Sequence, residues 1–238
     1  MQVYYRLSDA SNAKPKPPYV SKQVCLQNFL ETFAVHSDGI HVIADAVTDE
    51  TYDWLLALLP EGQITRTEFR SGSATFSLAT ELATRWAPQT PIYLVEDDYL
   101  HERAAPEVLL EGLTLGADFV TLYDHPDKYL EPADGGNPEC AGGAERTRVY
   151  LSKSCHWKET NSTTMTFATT AGTLTRAFRF MEPFLRGRTP RDFQMFLRLR
   201  RKGFRVVSSI PGFATHGESR WLSPLTDWEQ VAARAQSA

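Results

Sequence analysis

The chain has 238 residues, 42% of them hydrophobic and 23% charged, so it is long enough to bury one substantial core. Its formal net charge of −4 argues against non-specific nucleic-acid binding through a basic surface. Three cysteines without C-x-x-C spacing, no apolar run of transmembrane length and no signal peptide at the amino terminus together predict a reduced, cytoplasmic protein.

The first predicted strand covers Gln2–Leu7 and is followed by a polar, proline-bearing loop, Ser8–Tyr19. Arg6 and Asp9 lie at the end of this strand, which is where a nucleotide base or ribose binds in a doubly wound sheet. Both residues are therefore candidates for nucleotide contacts. An ordinary salt bridge within the loop is the other interpretation of each.

A helix with an apolar face follows from Ser21, and a second strand covers Ile40–Ala44. Asp45 stands at the carboxyl end of this strand, where an acid can accept a hydrogen bond from a ribose hydroxyl or a base N–H. It can equally cap the next predicted helix, Thr51–Leu59. The sequence leaves both roles open.

The third predicted strand, Ile64–Phe69, leads into a helix over Thr75–Trp86. Gly72 and Ser73 precede this helix, and backbone N–H groups left free near a helix N-terminus form a weak anion site. Arg70 would add positive charge there, or it is simply a surface arginine. The pattern is neither a P-loop nor G-x-G-x-x-G, so the phosphate signal is faint.

The most informative stretch is P-I-Y-L-V-E-D-D-Y, in which Ile92–Val95 has the composition of a buried strand. Glu96, Asp97 and Asp98 follow at once and must emerge at the carboxyl end of the strand, because a buried strand does not tolerate unpaired carboxylates. Three hard oxygen donors at one point favour Mg²⁺ or Mn²⁺ and, through the cation, a phosphate. The other interpretation is a solvated acidic turn before a helix.

Ala104–Leu115 is predicted to be a helix and Asp118–Tyr123 the next buried strand. Strands and helices thus alternate throughout the first half of the chain. This alternation predicts an α/β domain with a mostly parallel central sheet that helices cover on both faces.

The second half reads differently, with a Gly- and Pro-rich loop over Glu131–Arg146 and strands over Arg148–Leu151 and Thr163–Thr169. His156 and Trp157 lie between those strands, in a predicted loop. They could line a carbohydrate subsite, because an indole face stacks on the C–H groups of a sugar. Trp157 could equally be a core residue.

The stretch T-P-R-D-F-Q predicts a helix start, with Thr189 as N-cap and Pro190 in the first helical position. Asp192 would then lie in the first turn, where the dipole and free N–H groups favour an ionised carboxylate. It would act as a base, or simply complement the dipole. A strand over Phe204–Ser208 follows, and His216 stands in a Gly-flanked loop beyond it.

The order and spacing of these motifs resemble those of GT-A-fold glycosyltransferases of the family-2-like group. The triplet Glu96-Asp97-Asp98 is similar to a variant of the family's DxD motif, and the resemblance implies that Asp98 binds Mn²⁺ bridging the donor diphosphate. It implies that His216 is a second metal ligand and that Asp45 contacts the nucleotide.

The T-P-R-D-F-Q helix start resembles the family's "ED" element, whose aspartate is the catalytic base of inverting members. By this resemblance the base is Asp192. Arg191 stands where the family usually has a glutamate, and it would contact the acceptor.

The resemblance implies a single GT-A domain over residues 1–238, with residues 1–125 binding the donor and residues 126–225 forming a smaller β region for the acceptor and catalysis. The donor would be a nucleotide sugar, with UDP favoured, and the cofactor Mn²⁺ or Mg²⁺. The acceptor would be a glycan or glycoconjugate in polysaccharide biosynthesis, and a lipid-linked acceptor would bring the chain to a membrane periphery. The alternatives are a metal-dependent nucleotidyltransferase or phosphohydrolase, and a sugar-binding module without catalysis.

Overall fold

In a computed structural model of this chain, residues 1–10 and 14–235 are described. Residues 11–13 of the predicted loop Ser8–Tyr19, and the last three residues of the predicted domain, lie outside the described residues. The described strands are β1 (Gln2–Ser8), β2 (Gly39–Asp45), β3 (Ile64–Thr67), β4 (Pro91–Glu96), β5 (Tyr99–His101), β6 (Phe119–Thr121), β7 (Val149–Leu151), β8 (His156–Glu159), β9 (Phe167–Thr170), β10 (Val206–Ile210) and β11 (Ala214–His216).

The described α-helices are α1 (Lys22–Phe33), α2 (Asp49–Leu58), α3 (Gly72–Ala83), α4 (Ala105–Thr114), α5 (Ala171–Met181), α6 (Asp192–Arg201) and α7 (Trp228–Ala235). Within this part of the chain, no helix has both the length and the apolar character needed to cross a membrane. The three cysteines are buried, and each has a free thiol.

Nine strands form one sheet in the order β3-β2-β1-β4-β9-β6-β10-β8-β7. Only β9 and β8 run against the other seven strands. The parallel strands β1, β2 and β4 therefore end at the same edge of the sheet, where open α/β sheets bind ligands. The predicted α/β class with a mostly parallel central sheet is confirmed.

Helices cover both faces of the sheet because alternate residues of each strand point to opposite sides. In β1, Val3, Tyr5 and Leu7 pack with side chains of α1, α2 and α4, whereas Tyr4 packs on the other face with α3. The helices α5 and α6 complete that second face. Two apolar cores thus hold the sheet rigid beneath its carboxyl edge.

The structure differs from the sequence prediction at several elements. His156–Glu159, predicted to be a loop, is strand β8, because its backbone pairs with β10 on one side and β7 on the other. Helix α6 begins at Asp192, two residues later than predicted, and the N-cap position is Arg191 rather than Thr189. The short antiparallel ribbon of β5 and β11 was not predicted at all.

Candidate active site

A cleft of about 210 Å³ opens at the carboxyl ends of β1, β2 and β4. Nine of the fourteen residues predicted to be functional line it, although they come from distant parts of the sequence. The acidic ones are Asp45, Glu96, Asp97, Asp98 and Asp192, and the others are Arg6, Arg70, Gly72 and His216. Asp9, Ser73, His156, Trp157 and Arg191 do not line the cleft.

The ribbon of β5 and β11 brings the two predicted metal ligands together. Tyr99 pairs with His216 in this ribbon, so His216 lies beside the residue that precedes β5. The Nε2 atom of His216 is 3.1 Å from Oδ2 of Asp98. The Gly217 N–H also donates to the Asp98 carbonyl, which fixes the two segments against each other.

Asp98 and His216 form an ion pair that shifts the pKa of both groups. Burial alone would raise the pKa of Asp98, but the charges and hydrogen bonds of His216 and Lys16 hold it well below its usual range. Burial alone would lower the pKa of His216, yet the Asp98 carboxylate raises it above the usual value. At neutral pH Asp98 is therefore an anion that holds positive charge close to it.

Two lysines from the loop between β1 and α1 enter the same region. The Lys16 Nζ atom is 3.2 Å from Oδ2 of Asp98, and the Lys14 Nζ atom is 2.9 Å from Oε2 of Glu218. Neither lysine was predicted to be functional, because nothing in a polar, proline-bearing loop indicates which way it folds. The repeated K-P spacing at Lys14 and Lys16 was the one available signal.

Glu96 and Asp97 each have a structural partner. Glu96 Oε1 lies 3.3 Å from the Arg6 guanidinium, which also donates to the carbonyls of Gly72 and Met165. Asp97 accepts a hydrogen bond from the Ser8 N–H at the end of β1. Burial and the adjacent Asp98 charge raise the pKa of Asp97. These contacts tie β4 to β1 on the floor of the cleft.

Asp192 stands at the first residue of α6 and lines the cleft. Its Oδ1 atom accepts from the Phe193 N–H at 2.7 Å, while Oδ2 has no hydrogen-bond partner among residues 1–10 and 14–235. Burial, supported by the nearby Glu96 charge, raises its pKa to about 6. The hydrogen bond from the Phe193 N–H at the helix start lowers the pKa of Asp192, in the direction predicted, but burial raises this pKa by more.

Asp45 organises the turn that precedes α3. Its carboxylate accepts from the backbone N–H groups of Phe69, Arg70 and Ser71 and from the Thr67 hydroxyl. These bonds hold the turn although Arg70 has a φ of 51°, a conformation that residues other than glycine rarely adopt. The alternative role as a helix cap is wrong, because Thr48 caps α2.

The predicted anion site at the start of α3 is largely closed. The Ser73 N–H donates to the Arg188 carbonyl, and the Ser73 side chain is buried. The Arg188 guanidinium in turn donates to the carbonyls of Arg70 and Ala10, so it joins three loops across the cleft. No sequence pattern indicates this role of Arg188, because it depends on loops more than 100 residues apart.

Trp157 is a core residue, so its predicted role in a sugar subsite is wrong. The side chain is fully buried, and its Nε1–H donates to the Ser152 hydroxyl. Only a glycine fits opposite the ring, because a Cβ at Gly112 would lie 2.7 Å from it and 2.5 Å from Val120. Neighbouring His156 is exposed on β8, outside the cleft, and its acceptor role stays a prediction.

Asp9 and Arg191 also lie outside the cleft lining. Asp9 forms a salt bridge with Lys22 and accepts from the Thr48 N–H, which is the loop salt bridge that the sequence left open. The Arg191 guanidinium donates to the Pro183 carbonyl and lies 5.4 Å from the centre of the Phe184 ring. Its acceptor role stays a prediction.

Comparison with solved structures identifies a similar fold. The galactosyltransferase LgtC, in complex with donor and acceptor sugar analogues, matches 87% of this chain and 73% of its own, with a TM-score of 0.50 and 12% identity. A CMP:2-keto-3-deoxy-manno-octonic acid synthetase complexed with CTP matches 99% of this chain and 98% of its own, with a TM-score of 0.49 and 15% identity. No protein-family model and no curated protein matches the sequence significantly. The likeness to LgtC supports the GT-A, Rossmann-like fold.

Proposed function

We propose that this chain is a glycosyltransferase that moves a sugar from a nucleotide-diphosphate donor, preferably a UDP-sugar, to a hydroxyl of a glycan, lipid-linked or protein-linked acceptor. The observation that carries the proposal is one cleft that holds two separate kinds of acid. Asp98 is a strong anion with basic neighbours, whereas Asp192 is a carboxyl with a raised pKa and an unoccupied Oδ2. Glycosyl transfer needs both kinds.

Asp98 and His216 fit a divalent cation. A carboxylate oxygen and an imidazole nitrogen 3.1 Å apart belong to the donor types that Mn²⁺ accepts. Among the described residues, no group of three or more His, Cys, Asp or Glu side chains could hold a metal ion, so donor phosphates and water would complete the coordination. When bound, Mn²⁺ or Mg²⁺ would neutralise the charge that develops on the leaving diphosphate.

The chain's own basic residues support the same chemistry. Lys16, which lies 3.2 Å from Asp98, would give up this contact to a cation, and Lys14 lines the cleft where a phosphate would add negative charge. Arg70 also lines the cleft, and its backbone N–H donates a hydrogen bond to the Asp45 carboxylate. We assign the donor half to residues 1–125 and the acceptor half to residues 126–225.

Asp192 would take the proton of the attacking acceptor hydroxyl. A pKa of about 6 leaves the carboxylate mostly ionised at neutral pH, yet basic enough to accept a proton as the new bond forms. Attack from the side opposite the leaving diphosphate inverts the anomeric configuration and requires no nucleophile from the enzyme. The proton ends on Asp192, and the electrons of the broken glycosidic bond leave with the diphosphate.

The test is a panel of UDP-, GDP-, dTDP- and CMP-sugars, each with and without Mn²⁺, read by thermal shift and by slow hydrolysis of the donor. A ligand that binds only the folded state raises the melting temperature. We expect one nucleotide class to stabilise the protein with Mn²⁺ and to be hydrolysed slowly to the nucleoside diphosphate. Pyrophosphate release from a nucleoside triphosphate plus a sugar phosphate would identify a nucleotidyltransferase, broad phosphoester cleavage a phosphohydrolase, and binding without turnover a sugar-binding module.

A further inference from the structure

Positive charge is concentrated in one part of this chain. Residues 171–205 contain ten Lys or Arg and two Asp or Glu, whereas the rest of the chain contains 15 Lys or Arg and 27 Asp or Glu. This segment comprises α5, α6 and the loop that joins them. A protein that is acidic overall therefore carries one strongly cationic region, and such asymmetry indicates an anionic partner.

The centre of this region is a surface groove of about 510 Å³. We call it the basic face and define it by three arginines and three apolar residues: Arg179, Arg198, Arg201, Phe180, Phe184 and Leu197. The two phenylalanines and the leucine are partly exposed. No acidic side chain lines the groove, so the arginines are not neutralised from within it.

The arginines of the basic face lack anionic partners. Within the described residues, the Arg198 and Arg201 side chains form no ion pair and no hydrogen bond, and the Arg179 guanidinium lies 4.7 Å from the centre of the Phe180 ring. Other arginines of the same two helices are paired, as Arg176 is with Asp118 at 3.5 Å and Arg200 with Glu139 at 3.2 Å. Three uncompensated guanidinium groups around apolar side chains attract a surface that offers both phosphate and hydrocarbon.

We propose that the basic face docks the protein on the surface of an anionic lipid bilayer. The arginine stems would lie along the apolar boundary with their guanidinium groups on lipid phosphates, and Phe180, Phe184 and Leu197 would enter the headgroup region. The acidic remainder of the chain would be repelled by the same membrane. The protein would therefore bind in one orientation, with α5 and α6 facing the lipid.

The geometry favours a bilayer over a nucleic acid. Single strands bind by stacking their bases on free aromatic faces. Here Arg179 lies over Phe180, and Arg191 lies over Phe184 with 5.4 Å between the guanidinium and the ring centre. A guanidinium thus lies over one face of each ring and competes with a base for that face. A lipid headgroup can bind here without base stacking, because its phosphate contacts the guanidinium groups and its hydrocarbon contacts the partly exposed apolar side chains.

Docking in this orientation would also place the cleft near the membrane. Helix α6 begins with Asp192 in the cleft and carries Arg198 and Arg201 in its last turns. Ten helical residues span about 15 Å, so the basic face lies within that distance of Asp192 along the helix axis. The docking proposal itself does not depend on the reaction, and it is tested without donor or acceptor.

The experiment is co-sedimentation of the full chain with vesicles of phosphatidylcholine alone, or of phosphatidylcholine with about one third phosphatidylglycerol. We expect binding only to the anionic vesicles, and its loss when salt shortens the Debye length from about 10 Å to about 3 Å. The test variant is the triple substitution Arg179→Gln, Arg198→Gln and Arg201→Gln. Each basic residue near an anionic membrane contributes about fivefold, so the triple variant should bind about 100-fold more weakly.

The matched control is Arg103→Gln, Arg146→Gln and Arg148→Gln, which removes three exposed arginines that do not line the basic face and changes the net charge equally. This control should bind anionic vesicles like the unaltered protein, and circular dichroism should show both variants folded. Equal losses in the two variants would overturn the proposal, because binding would then reflect net charge alone. Absence of vesicle binding, or binding of polyuridylate in place of vesicles, would overturn it as well.

Discussion

Asp192 offers the sharpest test, because the same partly buried carboxylate that would serve as base should also destabilise the fold. We consider Asp192→Asn, which keeps the size of the side chain and the acceptor atom for the Phe193 N–H but cannot take a proton. Loss of a general base typically costs about 10²–10⁴-fold in rate. Donor affinity should stay unchanged, because the base acts on the acceptor.

The effect on stability follows from the pKa of Asp192, which burial raises from its usual 3.8 to about 6. The folded state therefore binds the proton more tightly than the unfolded state. Ionisation of Asp192 destabilises the fold fully above about pH 6, and this destabilisation vanishes below the unfolded pKa. A shift of about two units corresponds to at most about 3 kcal/mol. Since the side chain is only partly buried and water screens it, we expect about 1–2 kcal/mol.

Asp192→Asn should thus raise the free energy of unfolding at pH 8, and this gain should disappear as the pH falls through 6 towards the unfolded pKa of 3.8. The assays are urea unfolding across this range, kcat beside donor Kd, and NMR of the product's anomeric linkage. Asp53→Asn, at an exposed carboxylate of α2, is the matched control and should leave all three unchanged. A retained kcat, a retaining product or no stability gain at pH 8 would refute the reasoning.

Three further substitutions test the metal site and the core. Asp98→Ala should abolish Mn²⁺-dependent binding of a UDP-sugar in calorimetry while the circular dichroism spectrum is kept; unchanged affinity would exclude Asp98 as a ligand. Asp98 raises the pKa of His216 from its usual 6.5, so His216 should gain its proton, and affinity for Mn²⁺-UDP should fall, already at a pH above 6.5. His216→Ala should flatten this dependence of the affinity on pH. Trp157→Ala should lower the free energy of unfolding by about 3–5 kcal/mol in urea titrations, since it empties a fully buried site; a loss below about 1 kcal/mol would contradict its place in the core.

The sequence predicted those elements whose own residues determine their structure. The apolar run of β4 and the amphipathic pattern of α1 are local signals, and both elements lie where they were predicted. Strand β8 was missed because H-W-K-E contains polar residues that disfavour strands. The buried Lys158 of this strand is paired by residues of another segment, because its Nζ atom lies 2.8 Å from Asp124 and 3.0 Å from the Tyr129 hydroxyl. Contacts of that kind depend on the tertiary fold and leave no periodic pattern in the sequence.

The same distinction applies to the site. A resemblance of motifs paired Asp98 with His216, and the ribbon of β5 and β11 brings the two side chains into contact. Lys16 was not predicted, because its position depends on the path of a loop that has no regular structure. The raised pKa of Asp192 was not predicted, for a related reason. The sequence indicates the helix dipole, whereas burial depends on every segment that surrounds the cleft.

The acid triplet shows why three adjacent carboxylates do not make three equivalent ligands. The chain leaves β4 at Glu96 and turns at Asp97 and Asp98 before β5 begins, so successive side chains point in different directions. Glu96 is paired with Arg6, and Asp97 accepts from the Ser8 N–H, so both are committed to holding β4 against β1. Only the partners of Asp98, Lys16 and His216, are groups that a cation could displace or share. A metal ion bound at this triplet should therefore depend on the last acid alone among the three, and the contacts of Glu96 and Asp97 supply a physical reason for the ligand that the motif resemblance implies.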